Sequence, residues 1–112
     1  MMNNDPALDR LFQALCDGHR RAMIDRLAAG PLSVSDLAAP LDISLPAVMQ
    51  HLSVLEAAGL LHSEKRGRVR TCTLSPRAMT QAEVWISDRR RRVEGQLTSL
   101  QQYLEQSEKD EK

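Results

Sequence analysis

Four cationic side chains lie within six consecutive residues around a glycine at position 67: Lys65, Arg66, Arg68 and Arg70. Ammonium and guanidinium groups at this density attract a polyanion, such as the phosphates of a nucleic acid. The alternative is a solvated charged face that has no partner. The pattern is typical of a basic hairpin tip, which by itself is a weak indication of function. Its meaning depends on the elements that lie beside it.

Charge is distributed unevenly along the chain, although fifteen Lys and Arg balance fifteen Asp and Glu. Residues 5–43 carry four basic and six acidic side chains, and residues 93–112 carry two basic and five acidic ones. Residues 62–92, in contrast, carry nine basic and three acidic side chains, among them the run Arg89–Arg92. This local excess is what contact with a polyanion needs, whereas the net charge of the whole chain predicts no partner.

The segment before the hairpin predicts a helix with an uncharged outer face. If Val48, Leu52 and Leu55 point inward, helical periodicity turns a set of small or neutral residues outward: Pro46, Gln50, Ser53 and Ala57. A solvent-exposed helix usually carries Lys and Glu, whereas small side chains can enter the major groove of DNA. Gln50 can pair with an adenine edge, and Ser44 can reach a phosphate. An ordinary helix packed on another helix is the alternative.

The basic hairpin follows this helix after only six residues, 56–61. A hairpin in that place can span the phosphate backbone or reach the minor groove. His51, on the flank of the helix, either contacts phosphate or packs at the rim. We therefore expect DNA contacts from ten residues of the two elements: Ser44, Pro46, Ala47, Gln50, His51, Ser53, Lys65, Arg66, Arg68 and Arg70.

Capping residues and apolar periodicity predict the elements that position these side chains. Asp5, Asp17, Ser33 and Ser44 can each cap a helix, because their side-chain oxygens accept hydrogen bonds from free backbone N–H groups. Glycine and proline end these helices. The predicted elements are helices at 5–16, 17–29, 34–39 and 45–58, strands at 60–65 and 69–74, a long helix at 77–106 and a polar tail at 107–112.

Apolar stripes on the first and last helices offer more apolar surface than one small domain can cover. Exposed apolar surface of this size favours association with a second copy of the chain. The residues expected at that interface are Leu8, Leu11, Phe12, Leu15, Ile86, Val93, Leu97, Leu100 and Leu104.

Composition limits the class of protein. The 112 residues suffice for about one domain, expected over 1–112. Aromatic residues make up only 3% of the chain, so an aliphatic core of packed helices is favoured over a β-sandwich. No apolar run approaches the ~20 residues of a membrane span, and the first residues lack the pattern of a signal peptide. Two distant cysteines are compatible with a reducing cytosol, so we expect a cytoplasmic protein without a membrane partner.

Four segments of the chain resemble the ArsR-type family of winged helix-turn-helix transcription regulators, named for arsenical-resistance repressors. They are residues 14–21 (ALCDGHRR), 32–37 (LSVSDL), 44–55 (SLPAVMQHLSVL) and 56–61 (EAAGLL). The resemblance implies a mainly α fold with a small β-hairpin, in the order α-α-α-α-β-β-α, with 34–58 as the helix-turn-helix and 60–74 as the wing. It also implies a homodimer through helices 5–16 and 77–106, recognition of DNA through 45–58, and repression of a promoter.

Departures from the family pattern bear on metal binding and on the DNA sequence. Metal-sensing members carry Cys-Val-Cys where residues 33–35 of this chain are Ser-Val-Ser, and a hydroxyl does not replace a thiolate as a ligand of soft metals. Other members bind metal through His and carboxylates of the last helix, which has no His here. We therefore expect no metal site and no cofactor. Residues 17–20 are Asp-Gly-His-Arg in place of Asp-Pro-Thr-Arg, and Met49 replaces a small polar residue, which leaves the operator sequence open.

Other functions remain as alternatives to a repressor that binds a palindromic operator on double-stranded DNA as a homodimer. A winged helix can dock on a protein instead. The chain can also be a thiol-based redox repressor through Cys16 and Cys72, although a small buried hydrophobe is the better interpretation of each. An enzyme is not expected, because the sequence has no nucleophile elbow, phosphate-binding glycine loop or paired carboxylates. The sequence identifies neither a small-molecule inducer nor the role of Arg89–Arg92.

Overall fold

The computed structural model describes residues 5–110, which are mainly helical with a small antiparallel sheet, as predicted. The elements in chain order are α1 (Pro6–Leu15), α2 (Gly18–Leu27), β1 (Leu32–Ser33), α3 (Val34–Ala38), α4 (Leu45–Ala57), β2 (Leu61–Arg66), β3 (Val69–Leu74) and α5 (Pro76–Asp110). Among these helices, none is long and apolar enough to cross a membrane.

The four predicted caps all begin helices. The carboxylate of Asp5 accepts hydrogen bonds from the N–H groups of residues 7 and 8 at 3.1 and 3.3 Å. That of Asp17 accepts from residues 19 and 20 at 2.8 and 3.2 Å. Ser33 and Ser44 accept one bond each, from residues 36 and 47, at 3.1 and 3.3 Å. These bonds satisfy backbone donors that have no partner inside the helix, so the caps set where each helix starts.

Gly59 ends α4 and turns the chain into the wing. Its φ of 76° is readily adopted only without a Cβ. The N–H of Gly59 donates to the carbonyl of Glu56, and the N–H of Leu60 donates to the carbonyl of Leu55, both at 3.0 Å. This pair of bonds is the Schellman motif, and it is completed by the burial of both leucines. The cap therefore connects α4 directly to β2.

The sheet has three strands in the order β1-β3-β2, all antiparallel. The sequence predicts only the two wing strands and misses β1, which has two residues and pairs Leu32 with Cys72. In the wing, Arg66 pairs with Val69, so the turn consists of two residues and not the predicted three. The φ of 65° at Gly67 supplies the left-handed conformation that this tight turn requires.

The described residues form two compact units. The winged unit runs to Ala82 and contains the whole buried core: Leu11, Ala14, Met23, Ile24, Leu27, Leu37, Val48, Leu52, Leu55, Leu60, Leu61, Cys72, Ala78 and Ala82. Leu11 is only 1% exposed, because its side chain packs within this core. It has almost no surface left for a second copy, which corrects its assignment to the dimer interface.

The helical unit is the part of α5 from Glu83 onward. Because α5 continues to Asp110, the predicted end near residue 106 and the tail at 107–112 are wrong for residues 107–110, and residues 111 and 112 lie outside the described part. No glycine or proline follows residue 106 to stop the helix. The single domain expected over 1–112 stays a prediction.

The cap of α2 makes stability depend on pH. Hydrogen bonds from the backbone N–H groups of Arg20 and His19 lower the pKa of Asp17 from its usual 3.8, against an opposing effect of burial. A carboxyl group whose pKa is lower in the folded state than in the unfolded state stabilises the fold at pH values above its unfolded-state pKa. This stabilisation is lost as the pH falls through the folded-state pKa. We expect Asp17→Asn, which keeps an acceptor but cannot ionise, to lower Tm at pH 7.

Thermal melts at pH 7 and pH 3 check this expectation. At pH 3 the Tm difference between the wild type and Asp17→Asn should shrink, because the unfolded-state carboxyl becomes protonated below its pKa of 3.8 and the advantage of the charged folded state falls. Asp25→Asn is the matched control, since Asp25 is an exposed acid of the same helix. A Tm difference that is the same at both pH values would contradict a role for the charge of Asp17.

Candidate nucleic-acid interface

The helix α4 has one buried side and one uncharged exposed side. Val48, Leu52 and Leu55 are buried in the core, as the sequence phasing requires. The opposite side is exposed and consists of Pro46, Gln50, Ser53 and Ala57. Ser44 is exposed at the N-cap, whereas Ala47 is half-buried on the flank. The side chains that the sequence assigns to DNA bases thus face solvent, while their contact with DNA stays a prediction.

The wing exposes its four cationic side chains to solvent, but these side chains differ in the ion pairs and hydrogen bonds that they form. Arg66 lies 3.6 Å from the carboxylate of Glu64, and both side chains are more than half exposed. Ion pairs this exposed contribute little to stability. Arg70 donates a 3.0 Å hydrogen bond to the hydroxyl of Ser63, which itself lies 3.3 Å from the carboxylate of Glu56. Arg70 is therefore partly engaged by the base of the wing.

His51 lies against the protein and not on the exposed face of α4. Its Nδ1 is 3.1 Å from Nη1 of Arg20, and its ring centroid lies 5.7 Å from that of His19. A guanidinium can only donate, so Nδ1 of His51 is the acceptor in this contact. Of the two roles open to His51, the structure shows packing at the rim, and a phosphate contact stays a prediction.

Arg20 is a positioning residue that the sequence reasoning missed. Besides His51, its guanidinium binds the carbonyls of Ala14 at 2.8 Å and Gln13 at 3.1 Å. These carbonyls belong to the last turn of α1, where the helix leaves backbone acceptors without a full set of partners; that of Gln13 also accepts from the N–H of Cys16 at 3.2 Å. Arg20 therefore connects α1, α2 and α4 through one side chain. Arg20 lies in segment 14–21, one of the four that resemble the ArsR-type family, but the neighbouring residues do not indicate which carbonyls its side chain binds.

An open groove of about 520 Å³, which we call the α4–wing groove, separates the start of α4 from the wing. It is lined by Ser33, Val34, Ser35, Leu45, Met49, Lys65, Arg68, Val69 and Arg70. The two serines occupy the positions where metal-sensing relatives are expected to carry cysteines. No contact is predicted from the sequence for Leu45, Met49 or Val69, since apolar side chains in a helix or strand are normally expected in the core.

The cysteines occupy unlike environments. Cys72 is buried in β3, and this burial, with the nearby charge of Glu56, raises the pKa of its thiol against a smaller opposing effect of Arg70. A raised pKa keeps the thiol protonated and inert at neutral pH. Cys16 is exposed, which contradicts its interpretation as a buried hydrophobe. Both thiols are free, and no group of three or more His, Cys, Asp or Glu among the described residues can hold a metal ion.

The run Arg89–Arg92 forms ion pairs within its own helix. Arg89 and Arg92 lie 2.6 and 3.3 Å from the carboxylate of Asp88, and Arg90 lies 3.9 Å from that of Glu94. The guanidinium of Arg89 also stacks 4.5 Å from the ring centroid of Trp85. Three of the four cations are therefore partly neutralised inside the helical unit.

Comparison with known proteins gives consistent matches. A family model described as a helix-turn-helix domain matches residues 15–64. The HTH-type transcriptional regulator Rv2034 of Mycobacterium tuberculosis is 52% identical over 68 residues, which are 61% of this chain and 64% of that protein. The chain thus spans less than two thirds of the length of this relative. The transcriptional repressor SdpR of Bacillus subtilis is 25% identical over 79 residues, covering 70% of this chain and 88% of the repressor.

A solved structure agrees over more of the chain. The crystal structure of the ArsR family transcriptional regulator RHA00566 has 40% sequence identity to this chain and a TM-score of 0.79, and the match covers 84% of this chain and 97% of that one. These relatives are transcription regulators, a class of proteins that is not enzymatic.

The three contacts of Arg20 should make it sensitive to conservative replacement. We expect Arg20→Lys to lower the free energy of unfolding by about 1–3 kcal/mol, because one ammonium cannot reach the same acceptors in a fixed geometry. Urea unfolding measures the difference. Arg10→Lys, which changes an exposed arginine of α1, is the control. Equal unfolding midpoints for Arg20→Lys and the wild type would show that the contacts of Arg20 do not stabilise the fold.

Proposed function

Because the chain belongs to the ArsR family of winged helix-turn-helix transcription regulators, we propose that it represses transcription by binding a palindromic operator as a homodimer, without sensing a metal ion. The observation that carries this proposal is the uncharged exposed face of α4 beside the cationic wing. Such a protein acts where promoter DNA lies, which we take to be the cytoplasm. We assign no inducer to it.

The exposed face of α4 has the size and the chemistry that the major groove admits. Gln50 carries a donor and an acceptor on one side chain, which match the N6 and N7 positions of adenine. Ser53 lies beside it and is short enough to let the helix approach the base edges. Ser44 and the free N–H groups at the start of α4 favour a phosphate. Together these groups supply both base contacts and backbone contacts from one helix.

Lys65 and Arg68 are the wing cations best suited to bind the phosphate backbone. Both are exposed, and neither forms an ion pair with a described acidic residue. The weak pair between Arg66 and Glu64 can break at little cost when a phosphate approaches. A phosphate contact does not depend on sequence, so the wing should supply affinity while α4 supplies selectivity.

The homodimer is supported by the apolar stripe of the helical unit. Ile86, Val93, Leu97, Leu100 and Leu104 are 51–61% exposed, and their spacing places them on one side of α5. Burial of such side chains contributes about 1.5–3 kcal/mol each, so a second copy of the same helix is a favourable partner. In α1 of the winged unit, Leu8, Phe12 and Leu15 are only half-buried, and we keep them as proposed members of the dimer interface. Two-fold symmetry of the protein would then match a palindromic operator.

The absence of metal sensing is proposed from the chemistry of residues 33–35. The hydroxyl of Ser33 already accepts the backbone N–H of Asp36, so it serves as a helix cap. Hydroxyls stay protonated near neutral pH and are poor ligands for soft metals. The redox alternative has less support, because Cys72 is buried with a raised pKa.

Fluorescence anisotropy with a duplex selected from a random library tests the function. A protein that neutralises Z phosphates should show log K falling against log salt concentration with a slope of about −0.9Z. We expect Arg68→Ala to weaken binding to all duplexes and to reduce this slope by about 1. Gln50→Ala should instead lose preference at one base pair, by about 1–3 kcal/mol.

The same experiment separates DNA binding from docking on a protein. A weak response that does not change with salt would favour a protein-docking module and overturn the proposal. Unchanged sequence preference in Gln50→Ala would show that Gln50 does not contact a base.

The apolar stripe of α5 predicts a dimer that one charge should break. We expect Leu97→Glu to raise the dimer dissociation constant at least about 100-fold, because symmetry places the substitution twice at the interface. Sedimentation velocity measures the change, and affinity for the palindromic duplex should fall with it. Gln102→Glu adds the same charge on the opposite side of α5 and should leave the dimer intact. A monomeric wild type would contradict the proposed interface.

A further inference from the structure

The exposed apolar side chains of the winged unit converge on one place. Among the described residues up to Ala82, the exposed large apolar side chains are Leu45, Met49 and Val69, at 58%, 42% and 52% exposure. All three line the α4–wing groove. Scattered exposed apolar residues are ordinary, but a shared location indicates a binding surface. The other exposed large apolar residues belong to the helical unit.

The groove combines these apolar side chains with cationic ones. Leu45 is the first residue of α4 and Met49 follows one turn later, so both side chains lie on the same side of the helix. Lys65, Arg68 and Arg70 of the wing also line the groove. A ligand that fits the groove must therefore offer apolar groups beside negative charges.

Duplex DNA offers both in its major groove. The C5-methyl group of thymine is an apolar group on an otherwise polar base edge, and phosphates flank the groove. The first turns of a recognition helix are the part that reaches base edges. We propose that Leu45 and Met49 select thymine by contacting its methyl group, beside the base that Gln50 contacts. This inference rests on the proposed function, since it requires α4 to enter the major groove.

Thymine is favoured because its contact with Leu45 and Met49 removes a methyl group and two apolar side chains from water. A cytosine at the same position lacks the methyl group and presents an amino donor, for which Leu45 has no acceptor and the Met49 sulfur is only a weak one. The contact therefore favours thymine over cytosine. It also gives a physical use to Met49, whose flexible thioether chain adapts to an irregular surface.

Replacing thymine by deoxyuridine tests the contact, because it removes the methyl group and leaves every hydrogen-bonding atom. The wild-type protein is first used to select a preferred duplex from a random library. Each thymine of that duplex is then changed singly to deoxyuridine, and Kd is measured by fluorescence anisotropy at fixed salt. We expect at least one thymine position in each half-site where the change weakens binding about fourfold.

Leu45→Ala and Met49→Ala should reduce the ratio of the two Kd values to about one at the position that each residue contacts. Gln50→Ala is the matched control, because it weakens an adenine contact and should retain the sensitivity to deoxyuridine. The substituted side chains are exposed, and thermal melts establish that the variants fold.

A wild-type protein that binds thymine and deoxyuridine duplexes equally at every position would overturn the inference. So would sensitivity that survives both alanine variants. In either case an enriched duplex with a normal salt dependence would leave the proposed function standing. Failure to enrich any duplex would overturn the proposed function, and the thymine contact with it.

Discussion

The burial of one side of α4 is the constraint on which the rest of this structure depends. Val48, Leu52 and Leu55 each lie in the core of the winged unit, and burying such side chains contributes about 1.5–3 kcal/mol apiece. A whole domain is stable by only about 5–15 kcal/mol, so a rotation of the helix that exposed these three side chains would remove a large part of the free energy of unfolding. The orientation of Gln50 and Met49 toward solvent follows from this packing.

Arginine side chains hold the neighbouring helices in place by binding backbone carbonyls. Arg20 and Arg21 bind the carbonyls at the end of α1, and Arg26 binds those of Asp36 and Leu37 at the end of α3. These carbonyls lie in the last turns of their helices, where few backbone N–H groups of the same helix are available as donors. Three of the basic residues before the wing are thus engaged in supporting the fold. Lys65 and Arg68 of the wing, in contrast, form no ion pair with a described acidic residue, and they line the α4–wing groove.

The two units differ in how many of their apolar side chains are buried. Among its described residues, the winged unit has a closed core and exposes large apolar side chains only at the α4–wing groove. The helical unit is a single helix whose apolar stripe is exposed in the described chain, and this exposure supports the proposed association with a second copy. We therefore propose that affinity for DNA and self-association depend on separate surfaces.

The sequence determined the order of the elements, the caps, the inward face of α4 and the exposure of the basic hairpin. Each of these features depends on residues within a few positions of one another. The tertiary structure alone decided the features that join distant segments. The strand β1 has two residues and no periodicity of its own, so only its pairing with β3 defines it. The burial of Leu11, the bond between Arg20 and His51, and the meeting of Leu45 with the wing each depend on how helices and strands pack. Local patterns cannot specify these contacts, since long-range packing selects which of several apolar or charged side chains meet.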